Sequence, residues 1–130
     1  MKILAGFDGS NAAREAVAIA KRHAKRFNGE VFVVRFMRDS HELHLDDMEK
    51  ADRELEDLKA GFEKENIPCE IRLKKTGLDA GEELVQFATQ KGIDEIVIGV
   101  RKRSKVGKLL LGSTAQYVIL QAPCPVVTVR

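Results

Sequence analysis

Cysteine is scarce in this chain, and the scarcity narrows the possibilities. The 130 residues hold two, Cys69 and Cys124. They fit no metal-ligand spacing and imply no disulfide framework. Both sit beside strand-like stretches, where they read as small buried side chains. Long hydrophobic runs are missing as well: no stretch approaches the ~20 apolar residues that span a bilayer. The start of the chain has one lysine and then a short strand-like run, with no signal-peptide core, so a cytoplasmic location is expected. Charge of one sign does not dominate. The net charge is +2, which gives no reason to expect nucleic acid as a partner. There is no Gly-x4-Gly-Lys-Ser/Thr loop and no Gly-x-Gly-x-x-Gly after the first apolar run. No nucleophile, base and orienting group stand out as a set, so no residue is assigned a catalytic role.

What is present describes a soluble globular protein. The hydrophobic share is 44% and the charged share 32%. A chain of 130 residues is expected to form one domain, 1–130, long enough to bury a core without staples. The charge is unevenly spread: from Asp39 to Glu65 there are eleven acidic and four basic residues, and after Glu95 there is no acidic residue at all. Both segments can be solvated faces.

Periodicity supplies the elements. Lys2 to Phe7 is a short apolar run of the kind a central parallel strand needs. Asp8-Gly9-Ser10 stops it, and Ser10 is placed to cap a helix with Ala13, Ala16, Val17, Ala20, Ala24 and Phe27 on its inner side. Asn28-Gly29 ends that helix. Glu30 to Met37 reads as a second strand and Arg38 to Asp46 as a loop. Met48, Ala51, Leu55, Leu58 and Phe62 form one stripe on a second helix, broken by Asn66-Ile67-Pro68. Cys69 to Lys75 alternates apolar and polar residues, as an edge strand does. Thr76-Gly77 turns the chain. Asp79-x-x-Glu82 spells a capping box before Leu84, Val85, Phe87 and Ala88, and Gly92 closes that helix. A strand runs from Asp94 into Gly99, a helix from about Ser113 to Gln121, and a last strand over Val126 to Val129. This alternation predicts an α/β protein with five parallel strands and four helices on both faces of the sheet, joined by right-handed crossovers. His23 reads as ordinary surface. His41 and His44, with Glu42, Asp46 and Asp47 near them, lack a fixed third ligand, so no metal site is assigned.

The chemistry concentrates between Gly99 and Thr114. Arg101, Lys102, Arg103, Lys105 and Lys108 crowd a loop that ends at Gly112-Ser113-Thr114, where helical periodicity resumes. Free N–H groups of a first helical turn, a positive helix dipole and a basic loop together favour an anion. Ser113 is placed to cap that helix through its hydroxyl. The spacing Gly99-x2-Lys102-x9-Gly112-Ser113, the ending Ala122-Pro-Cys-Pro-Val-Val-Thr-Val129 and the opening Met1-Lys-Ile-Leu-Ala-Gly-Phe-Asp-Gly-Ser10 resemble the universal stress protein family. The resemblance covers the whole chain. In the nucleotide-binding branch of that family the loop reads Gly-x2-Gly-x9-Gly-Ser/Thr. Here Lys102 stands at the second glycine, so the loop matches at its first and last positions only.

The resemblance implies strand order 3-2-1-4-5, an adenine nucleotide alpha hydrolase-like sheet, with Asp8 and Gly99 meeting at a topological switch point. It implies a regulatory protein of the stress response that binds ATP or AMP, with Mg accompanying ATP, and hydrolysis that is slow at most. On this view Asp8 contacts the nucleoside, Phe36 lines the base pocket, and Ile98 belongs to the binding site. Gly99, Gly112, Ser113 and Thr114 surround the phosphates, with Arg101 and Lys102 available as cationic contacts. The bland readings stand beside these: Asp8 as a turn residue, Phe36 as core, the glycines as turns. The Lys102 ammonium either pairs with a phosphate or intrudes where the phosphate would lie. The alternative function is a dimeric interaction module of the same fold, presenting its basic loop to an acidic partner. An ATP-using transferase lacks a catalytic constellation. A homodimer is expected through the strand at 125–130, whose apolar edge needs a cover.

Overall fold

Ile3, Leu4 and Ala5 are completely buried, which is possible only for a strand with neighbours on both edges and layers on both faces. A computed structural model describes residues 1–38, 45–76, 78–100 and 111–130. Its elements are β1 (Lys2–Gly6), α1 (Asn11–Phe27), β2 (Glu30–Arg38), α2 (Leu45–Lys64), β3 (Cys69–Thr76), α3 (Ala80–Lys91), β4 (Glu95–Gly99), α4 (Ser113–Gln121) and β5 (Val126–Val129). The five strands form one sheet in the order β3-β2-β1-β4-β5, every pair parallel. The order and the four helices agree with the sequence expectation.

Strand residues alternate between two cores. Ile3, Ala5, Val31, Val33 and Val97 face α1 and α2, together with Ala16, Val17, Leu55 and Phe62. Leu4, Phe32, Val34, Ile96 and Ile98 face α3 and α4, together with Leu84, Phe87, Ala115 and Val118. Right-handed crossovers require this division, since the chain moves outward through β2 and β3, then returns past β1 to β4 and β5. β3 lies at an edge, as its alternation predicts: Ile71 and Leu73 pack on the α1–α2 core, while the Arg72 guanidinium and the Lys74 ammonium lie over the Phe87 ring, each 5.5 Å from its centre. Both cysteines are free thiols and only half-buried, not buried as expected; the partial burial still pushes the Cys69 thiol up to about 12.

Local signals place the ends of α1. The Ser10 hydroxyl accepts the Ala13 N–H at 3.1 Å, and Asn28 takes the left-handed conformation with its N–H bonded to Ala24 O. Alanines on the inner face let α1 approach the sheet so closely that a Cβ added at Gly99 would lie 2.5 Å from the carbonyl carbon of Ala12.

Several expectations change. Phe27 is 62% exposed, because the helix ends there and Ala24 is its last buried residue. Arg38 belongs to β2, and Leu45 and Asp46 to α2, so the expected loop shrinks; His41, His44 and Glu42 lie outside the described residues. His23 is not ordinary surface: its Nδ1 lies 2.6 Å from Glu95 Oε1, tying α1 to β4. Asp79 stands at the N-cap of α3 but makes no side-chain cap bond with the helix. The Asp79 backbone carbonyl accepts the Glu83 N–H at 3.1 Å, the first intrahelical bond. Ser113 is the first residue of α4, not its cap, since the change from extended to helical backbone falls at Gly112 (φ −66°, ψ 165°). No described helix is long and apolar enough to cross a membrane.

Candidate functional site

Parallel strands deliver all their carboxyl ends to one side of the sheet. Between β1 and β4 the helices that follow leave on opposite faces, α1 on one and α4 on the other, and a crevice opens there. Its first lobe is mainly apolar, lined by Gly6, Phe7, Ala13, Phe36, Ala80, Leu84 and Ile98, with Asp8, Gly99, Thr114 and Ala115 at its border. The cavity it encloses is about 150 Å³. The second lobe shares Asp8, Gly99, Thr114 and Ala115 and adds Val100, Gly112 and Ser113. Glycine backbone, hydroxyls and the start of a helix dominate it. One continuous cleft therefore runs from an apolar end to a polar end.

Each wall has a local cause. Asp8 follows the buried strand β1, and its Oδ1 accepts the Ser10 N–H at 2.9 Å, a tight turn that fixes the carboxylate at the junction of the lobes. Gly9 takes φ +84° to complete that turn. Phe36 lies near the end of β2 and is half-buried. At Gly6 an added Cβ would come 3.2 Å from Leu84 Cδ1, so the bare backbone lets α3 close the apolar lobe. Gly99 is demanded by the packing of α1 rather than by the cleft itself. Gly112 differs: an added Cβ there meets no described atom within 4 Å. Around Gly112 the space belongs to the cleft.

The electrostatics follow from helix ends. α1 and α4 have no acidic residue in their first turns, whereas α3, which borders the apolar lobe, begins with Glu82 and Glu83. The polar lobe is therefore the end that suits negative charge. Of the residues expected at the site, Asp8, Phe36, Ile98, Gly99, Gly112, Ser113 and Thr114 line the cleft. Arg101 and Lys102 lie outside the described residues. Sequence reasoning missed Gly6, Ala13, Ala80 and Leu84, which line the apolar lobe from β1, α1 and α3. Ala80 could have been found, since it opens the helix that crosses back over the switch point.

A model of the universal stress protein family matches residues 1–130. A universal stress protein of Mycolicibacterium smegmatis is 34% identical over 128 residues, spanning 98% of this chain and 96% of that relative. Among solved structures, a universal stress protein of Archaeoglobus fulgidus superposes with a TM-score of 0.84 at 29% identity, covering 100% of this chain and 93% of the other. The universal stress protein of the same organism in complex with dAMP gives 0.80 at 27% identity, with 100% and 98% covered. Sheet order, cleft and sequence likeness agree along the whole length: this chain belongs to the universal stress protein family.

Proposed function

We propose that the chain is a regulatory protein of the stress response that binds an adenine nucleotide in this cleft. The observation that carries the reading is the union of an apolar lobe and an anion-suited lobe around one carboxylate, Asp8. The base occupies the apolar lobe against Phe36, Ile98 and Leu84, and Asp8 accepts a ribose hydroxyl. The phosphate lies at the start of α4, beside Gly112, Ser113 and Thr114, with the backbone at Gly99 facing it. A 27% identical relative is solved in complex with dAMP, which supports an adenine nucleotide as the class of ligand. Arg101 and Lys102 supply cationic contacts to a longer phosphate chain, so ATP with Mg is the second ligand to test. No residue is assigned to chemistry on the phosphate. The functional unit is a homodimer paired through the outer edge of β5, and its place of work is the cytoplasm.

Lys102 at the family's second loop glycine favours one competing reading, a dimeric module whose basic loop meets an acidic protein. Calorimetric titration with AMP, and with ATP in the presence and absence of Mg, separates the two. Binding supports the nucleotide reading. No heat and no change in melting at millimolar nucleotide would sink it, and Lys102→Gly then shows whether the lysine is the obstacle. Sedimentation at micromolar concentration tests the dimer; a monomeric mass would contradict it.

A further inference from the structure

Behind the turn that carries Asp8 lies a charged knot that joins three elements. Oε2 of Glu54, on α2, accepts a hydrogen bond from Nη2 of Arg14, on α1, and another from Nη1 of Arg35, on β2, each at 3.2 Å. Both guanidinium groups lie over the ring of Phe7, at 5.5 and 5.6 Å from its centre, and that ring is 3% exposed. The side chains of Arg35 and Glu54 are 16% and 14% exposed. The sheltered Arg35–Glu54 bond is stronger than one at an open surface, whereas the Arg14 side chain is 47% exposed and its bond is the weaker of the two. Gly9 rests directly on the knot: a Cβ built there would lie 3.1 Å from Glu54 Oε2 and 3.4 Å from both terminal nitrogens of Arg35. On one side of Gly9 is Asp8, facing the cleft; on the other is Ser10, which donates its N–H to Asp8 Oδ1 and caps α1.

We propose that Glu54 is a positioning residue for the nucleotide site, holding Asp8 in place through Arg35, Arg14 and the backbone of Gly9. The inference rests on the nucleotide reading above. Its physical basis is simple. Glu54 offsets two cations stacked on one ring; without its charge the guanidinium groups repel, and the turn packed against them loses its support. α2 lines neither lobe of the cleft, yet it sets the geometry of the carboxylate that does.

The test uses the full chain with wild-type residues, Glu54→Gln, Asp8→Asn and the double variant. AMP affinity is read by calorimetry, and exchange of the Ser10 amide by NMR without ligand. Glu54→Gln is expected to weaken AMP about tenfold, in the range of coupling within one hydrogen-bonded network. The double variant should bind no more weakly than Asp8→Asn alone, and Ser10 should exchange faster wherever Glu54 is replaced. Glu54→Asp, which keeps the charge, should recover part of the affinity. Additive losses in the double variant overturn the proposal, as does unchanged Ser10 exchange. If the wild-type chain binds no AMP, the nucleotide reading fails on its own account. Ser10 exchange then still decides whether Glu54 holds the turn.

Discussion

All four helices start on the side of the sheet where the cleft opens, yet they start differently. α2 begins with Asp46 and Asp47 and α3 with Glu82 and Glu83, whereas α1 and α4 have no acidic residue in the first turn. First-turn carboxylates interact favourably with the positive end of a helix dipole and so neutralise it within the chain. α1 and α4 flank Gly99, at the switch point, and leave that end to whatever enters. α1 compensates part of its terminus through the Ser10 cap. α4, capped by Gly112 with no side chain, compensates least. The starts of the outer helices are therefore neutralised within the chain, while those of the inner pair keep capacity for an anion.

The strongest way to break this comparison is to push α1 away from β4. Gly99→Val places its Cβ in the backbone of Ala12 and Ala13 and should cost about 3 kcal/mol by urea denaturation, the scale of overpacking in a closed core. Gly112→Ala, whose Cβ meets no described atom and whose φ is ordinary, should cost less than ~1 kcal/mol, the scale of cap substitutions. Equal losses at the two glycines would show that the packing of α1 is not what Gly99 serves. Next in size is Ser113→Glu, which gives α4 the acidic first turn its outer counterparts have. It should weaken AMP about tenfold, roughly 1.4 kcal/mol, while the fold is unchanged or slightly more stable; tighter binding would refute the assignment of the phosphate end. Glu82→Gln then removes a dipole partner from α3. A loss of about 0.3–1 kcal/mol in stability is expected, with AMP affinity kept.

The smallest effect concerns Lys21, midway along α1, and Glu65, just past the end of α2, which lie 2.7 Å apart. A hydrogen bond from Lys21 and its charge hold the Glu65 carboxyl below its ordinary value of 4.5. The unfolded state therefore takes up the proton first as pH falls. The contribution is present above the unfolded value and is lost as pH drops through the folded one. A Glu65→Gln chain should differ slightly in melting at pH 7 and converge with wild type in acid, with AMP affinity unaltered. A change in affinity would mean that charges remote from the cleft also govern binding.

The order of elements was legible because each depends on neighbours close in sequence. Alternation marked β3 as an edge, and alanine spacing marked the inner face of α1. The cleft was half legible: Asp8, Gly99 and Gly112 announce themselves as turn and loop residues, whereas Leu84 looks like any core leucine until α3 is laid over Gly6. Phe27 carried the right spacing on a helix that had already come to its end. His23 needed Glu95, 72 positions away, before it was anything but surface.

By itself the amino-acid order determined the alternation of strands and helices, the charge of the loop after Gly99 and the placement of caps at Ser10 and Asn28, since all of these are decided within a few residues along the chain. Only the tertiary structure decided that Gly99 is required by α1, that the helix start at Ser113 meets Asp8 in one cleft, and that Glu54 stands behind the Asp8 turn. Those relations exist because crossovers bring residues tens of positions apart to the same end of the sheet, where distance in space, and not in sequence, sets the energy.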